Sequence, residues 1–222
     1  MPWAGHKTSG LTHWRNLMAT MNQLALAAAM VVFAAGAWAQ AGGTQADEAR
    51  AKKIVGGVCF LCHGTEGESS SEVFPRLAGQ HWEYTVKQLE NFKTGKRKST
   101  AMADMSAKLT PQEMVALGKY FEGKSVATEP AKEPELAAVG SYIYHAGNKY
   151  SGVPSCASCH GKAGLGTATL PRLAGQYAGY VETQLKSFGK RERTNDNAVM
   201  HSIVAKMTTL EMAAVAEYIS GK

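Results

Sequence analysis

Cysteine is confined to four positions of this 222-residue chain, 59, 62, 156 and 159. No stretch alternates apolar and polar residues at the period of a half-buried strand, so the chain reads as all-α. The longest apolar run, Leu24 to Ala39, is about 16 residues, short of the ~20 a spanning helix needs. Charge is sparse at 19%, and the formal net charge of +6 is mild. No Lys/Arg cluster is interleaved with aromatics, which argues against nucleic acid, and Lys96-Arg97-Lys98 reads as a solvated helix end. Hydrophobic residues at 45% exclude disordered and collagen-like classes.

The four cysteines form two C-x-x-C pairs, each followed at once by histidine: Cys59-Phe60-Leu61-Cys62-His63 and Cys156-Ala157-Ser158-Cys159-His160. That pentapeptide is the pattern of c-type haem attachment. Two cysteines three apart reach the vinyl groups on one porphyrin edge, and the histidine after them supplies an axial nitrogen. A shared four-cysteine zinc site is the competing chemistry. Each pair carries its own histidine, however, and the pairs stand 97 residues apart in separate repeats. The expectation is two covalently bound haem c groups.

Residues 1–41 read as a secretory signal with cleavage near 39–41. Arg15 precedes the apolar run, and Ala37-Trp38-Ala39 and Ala39-Gln40-Ala41 supply small-residue cleavage sites. Met18 and Met21 are alternative starts, and an uncleaved anchor is the alternative fate. Export to the periplasm agrees with haem attachment, because bare C-x-x-C pairs would oxidise there.

The chain contains an internal repeat. Pro75-Arg76-Leu77-Ala78-Gly79-Gln80 recurs unchanged as Pro171-Arg172-Leu173-Ala174-Gly175-Gln176. Tyr84, Gln88, Phe92, Arg97, Met102 and Tyr120 match Tyr180, Gln184, Phe188, Arg193, Met200 and Tyr218. The expected organisation is a first domain over 42–122, a solvated, semi-rigid linker over 123–134 and a second domain over 135–222. Within each repeat a helix leads into C-x-x-C-H, a second follows the P-R-L-A-G-Q segment, and a capped helix closes the unit from Thr110 or Thr208.

The sixth iron position decides between an open, reactive site and a closed carrier. Met102 and Met200 stand at equivalent places, each eight residues before the threonine that opens the last helix. They are the candidates, with Met105 the rival in the first repeat. Pro75 and Pro171 are candidates to offer a carbonyl to the histidine's other nitrogen. Arg76 and Arg172, with Gln80, Gln176, Arg97 and Arg193, are candidates for haem propionates. His81, His145 and His201 lack histidine counterparts and read as ordinary surface or core histidines.

The paired C-x-x-C-H motifs, the two P-R-L-A-G-Q segments, the Tyr84/Gln88 and Tyr180/Gln184 pattern and Arg193-Thr194-Asn195-Asp196 before Met200 resemble the dihaem cytochrome c4 family over about Gln45 to Lys222. The resemblance implies two small helical domains related by a pseudo-twofold, His/Met ligation at both irons, and electron delivery to a terminal oxidase. The expected role is electron transfer without substrate chemistry. The donor would be one such as a cytochrome bc complex and the acceptor a haem–copper terminal oxidase, with peripheral association at the inner membrane. The competing role is a dihaem subunit of a dehydrogenase such as a flavin-linked sulfide dehydrogenase.

Overall fold

The computed structural model describes Met1, residues 44–126 and residues 128–222; the expected signal segment lies outside them. Every regular element there is helical, and one isolated antiparallel bridge, Asn148 to Val153, is the only extended pairing among the described residues. The first repeat comprises α1 (Gln45–Ile54), α2 (Phe60–His63), α3 (Trp82–Lys93), α4 (Thr100–Ala107) and α5 (Pro111–Glu122). The second comprises α6 (Pro134–Ala146), α7 (Ala157–His160), α8 (Ala178–Gly189), α9 (Val199–Val204) and α10 (Thr209–Ser220).

The closing helix organises each domain. Thr110 and Thr208 accept from the backbone N–H of Glu113 and Glu211, whose carboxylates reach back to the threonine N–H, so both helices begin with a complete capping box. Apolar residues then recur at helical spacing. Met114, Leu117 and Phe121 line α5, and Met212, Val215 and Ile219 line α10. That face packs on α1 and α3 in the first domain and on α6 and α8 in the second. Small residues permit the closest crossings: a Cβ at Gly140 on α6 would run into the backbone carbonyl of Ala214 on α10.

The halves differ before their cysteines. In the first, α1 passes through a π-helical turn, Val55–Cys59, straight into the cysteine motif. In the second, α6 ends at Gly147 (φ 72°), and the chain makes the bridged loop 148–153 before Cys156.

The halves share a polar seam. The side chain of Gln176 accepts from Arg76 N at 2.9 Å and donates to Arg76 O at 3.0 Å. Reciprocally, Gln80 accepts from Arg172 N at 2.9 Å and donates to Arg172 O at 3.0 Å. A second layer joins α3 and α8. Arg97 donates to Gln88, Tyr180 and Gln184, and Arg193 donates to Gln184, Tyr84 and Gln88. Arg97 is therefore tied across the seam rather than solvated at a helix end.

The connecting segment is also held more firmly than its composition suggests. Glu129 pairs with Arg76 at 2.5 Å, Lys132 pairs with Glu72, and the backbone N–H of Lys132 donates to Glu217 at 3.0 Å. It is strapped to both halves.

Candidate functional site

Each half places a histidine, two thiols and a methionine through the same local devices. The cysteine motif coils into a single helical turn that ends at a glycine of positive φ, Gly64 (72°) or Gly161 (80°), where a side chain would be strained. The turn sinks the histidine, so His63 and His160 are each only 8% exposed. Nδ1 of His63 lies 2.9 Å from the carbonyl of Pro75, and Nδ1 of His160 lies 3.2 Å from that of Pro171. A hydrogen bond to a carbonyl puts the proton on Nδ1 and leaves Nε2 as a lone-pair donor. Nε2 has no hydrogen-bond partner among the described residues in either ring. Burial lowers both imidazole pKa values, against the opposing pull of the proline carbonyl. Neutral imidazole is the form that binds a metal.

The four cysteines are unbridged thiols. Burial pushes the Cys59 thiol up and the Cys156 thiol to about 11. The first cysteine of each pair is therefore held in its thiol form.

The methionines sit in the first turns of the short helices. Ser99 caps α4 and accepts from Met102 N at 3.4 Å. At α9 the N-cap is Ala198, and the Asp196 carboxylate two residues before it accepts from Met200 N at 2.6 Å and His201 N at 3.3 Å. The registers agree: the residue four after each methionine, Ser106 or Val204, is fully buried. Met102 and Met200 are half-buried, whereas Met105 is 46% exposed. Ser99 and Asp196 carry no role in the sequence pattern by themselves, yet a small polar or acidic residue three or four positions before each methionine is a readable signal.

The arginines and glutamines occupy the seam. Arg76 donates to Gly175 O at 2.9 Å, pairs with Glu129 and lies over the Tyr177 ring at 3.9 Å. Arg172 has a buried Nε with no hydrogen-bond partner among the described residues, and burial lowers its pKa. Among the described residues Arg97 and Arg193 have only neutral hydrogen-bond partners. His81 reaches Leu165 O at 2.8 Å across the seam, His145 pairs with the Tyr218 hydroxyl at 2.7 Å, and His201 Nδ1 lies 3.0 Å from Phe188 O.

These features fit a covalent haem in each half. The thiols are reduced, the imidazole Nε2 is uncommitted, and a thioether stands at a matched register. The unpartnered Arg172 nitrogen further suits a carboxylate.

Comparison with known proteins points the same way. A family model described as cytochrome c matches residues 48–145 and 137–221. A cytochrome c4 from Thiocapsa roseopersicina is 42% identical over 190 residues, covering 82% of this chain and 94% of that protein. The crystal structure of reduced recombinant cytochrome c4 from Pseudomonas stutzeri superposes with a TM-score of 0.74 at 34% identity, covering 82% of this chain and 99% of that one. A thiosulfate dehydrogenase electron acceptor from Stutzerimonas stutzeri is 36% identical over 167 residues, covering 73% of this chain and 77% of that protein.

Proposed function

The chain belongs to the cytochrome c family, in its dihaem cytochrome c4 group, and from that premise we propose that it is a periplasmic electron carrier with both irons closed to substrate. Its cofactors are two covalently bound haem c groups, one per domain. Each supplies, when bound, a one-electron iron couple.

In this reading Cys59 and Cys62 anchor one group by thioether bonds, and Cys156 and Cys159 the other. His63 with Met102, and His160 with Met200, would hold the irons and close them to substrate. The proline carbonyls fix each imidazole against rotation and raise its basicity. Arg172 and Arg76 balance propionate charge at the seam. The domains extend over 42–122 and 135–222, and residues 1–41 are removed on export. The donor is a quinol-oxidising cytochrome bc complex and the acceptor a haem–copper terminal oxidase.

The observation that carries this reading is duplication. The same imidazole–carbonyl bond occurs in both halves, as does a methionine whose backbone N–H is held by an upstream side chain, and chance core filling would not repeat them. The test is spectroscopic. The holoprotein contains two haems per chain, and its ferric form shows the methionine-to-iron charge-transfer band. Replacing Met102 or Met200 by alanine removes about half of that band each time; a full-strength band in either variant overturns the assignment of that iron.

A second acceptor role is favoured by one finding. Relatives include electron acceptors of thiosulfate dehydrogenase, and part of a Marichromatium purpuratum thiosulfate dehydrogenase is similar in structure, with a TM-score of 0.71 at 27% identity. Reduction of the purified protein by such a dehydrogenase with thiosulfate, compared with reduction by a bc complex with quinol, decides between the two donors.

A further inference from the structure

The loop 148–153 exists only in the second half and contains none of the cysteine, histidine or methionine residues assigned to the cofactor. It is closed by two backbone hydrogen bonds, Asn148 N to Val153 O at 2.8 Å and Val153 N to Asn148 O at 2.9 Å. Two further bonds pin it to the body. Asn148 Nδ2 donates to Glu211 at 2.7 Å, and Lys206 Nζ donates to Gly152 O at 3.2 Å. Such fastening is more than a connector needs. What the loop presents is Tyr150, 90% exposed, with the Lys149 ammonium 5.1 Å from its ring centre.

An exposed aromatic on a rigid, lysine-flanked loop has the character of an interface anchor. Tyrosine offers large contact area with little side-chain entropy to lose, and preorganisation lowers the cost of binding. Its place matters as well. Cys156 follows Tyr150 by six residues, so the loop leads directly into the second cysteine motif. The first half has the π-helical turn Val55–Cys59 there instead, with exposed Val58 and Leu61 and no lysine in the turn. Residues 135–222 also carry an excess of basic over acidic side chains.

We propose that the Lys149–Tyr150 loop is the docking element for a redox protein whose contact surface is a carboxylate rim around an apolar recess. Tyr150 fills the recess, and Lys149 with Lys206 faces the carboxylates. Charge complementarity then speeds encounter, while the aromatic anchor sets residence time. The inference rests on the electron-carrier reading and adds which half meets the partner.

The experiment uses the holoprotein with a solubilised haem–copper oxidase, following oxygen uptake against carrier concentration at low and high ionic strength. Lys149→Glu is expected to lower kcat/KM about tenfold at low salt, with the difference vanishing at high salt. Tyr150→Ala is expected to lower it about tenfold at both, and Tyr150→Phe to restore most of it. Haem content, the methionine–iron band and both midpoint potentials stay unchanged in all three. Wild-type kinetics in Lys149→Glu and Tyr150→Ala overturn the proposal, as does a loss produced by Leu61→Asp in the first half alone. If the wild-type protein does not turn over, the oxidase-acceptor reading fails. Stopped-flow oxidation by ferricyanide, an anion, then tests the loop separately: Lys149→Glu slows one of two phases several-fold at low salt, and an unchanged rate overturns the proposal.

Discussion

At the residue scale, a few positions carry obligations that neighbouring residues of the same type do not. Met102 and Met105 are separated by a single helical turn, yet only Met102 has its N–H capped and stands in register with Met200. Met105→Leu is therefore expected to leave the charge-transfer band at full strength, whereas Met102→Leu halves it; magnetic circular dichroism of the ferric protein checks both. Gly140 is a second such position. Alanine there gains ~1 kcal/mol of helix propensity, but its Cβ would press on the backbone of α10, and overpacking costs ~1–3 kcal/mol or more. Because a backbone carbonyl cannot rotate aside, the clash wins. Gly140→Ala is expected to destabilise the fold by about 2 kcal/mol, read by denaturant unfolding. The cysteines, histidines and methionines were legible because their chemistry requires fixed types at fixed spacing. The destination of Arg97 and Arg193 was not legible. Arginine suits a propionate and a neighbouring glutamine or tyrosine equally well, and only the meeting of α3 with α8 separates these partners.

At the scale of elements, the closing helices announced themselves, since Thr-Pro-Gln-Glu and Thr-Thr-Leu-Glu are capping boxes on sight. The Glu211 carboxylate accepts from the Thr208 backbone and from Asn148, and these bonds hold its pKa below the usual carboxylate value. Its contribution to stability is thus complete above the unfolded pKa of ~4.3 and falls as pH drops through the lower folded value. Glu211→Gln is expected to flatten this part of the acid limb of the stability curve, and Thr208→Ala to cost about 1 kcal/mol at neutral pH. Thermal unfolding between pH 3 and pH 7 measures the first effect; denaturant unfolding at pH 7 measures the second. The π-helical turn and the 148–153 bridge escaped the sequence pattern for a shared reason. Both lie between a helix and its cysteine motif, where the two copies diverge and the repeat offers no second reading of the path. The strapped segment around Glu129 and Lys132 escaped too, because its composition is that of a solvated linker and its partners lie far off in sequence.

At the scale of the molecule, the seam determines whether the halves behave as one body. Gln88 Oε1 accepts from Arg97, Arg193 and Asn195 at 2.9, 3.3 and 2.9 Å, and Arg193 is only 9% exposed. Gln88→Leu strands Arg97 Nη1 and Asn195 Nδ2, each at a cost of ~1–3 kcal/mol if left unpaired, while Arg193 Nη2 keeps the Tyr84 hydroxyl. Calorimetry is expected to show one cooperative transition for the wild-type protein and two separated transitions for the variant; a single unshifted transition would mean the seam contributes little. The reciprocal exchange between Gln80 and Arg172, and between Gln176 and Arg76, has the form of an isologous contact, in which one patch meets its own copy. In a true homodimer every substitution appears twice and must be tolerated in both places. Joining the copies in one chain lifts that condition, so each side is free to change alone. His81 now stands where the other half has Tyr177, Glu129 serves Arg76 and not Arg172, and a lysine–tyrosine loop flanks one cysteine motif and not the other. A self-paired contact has thus become the centre of a molecule with a front and a back.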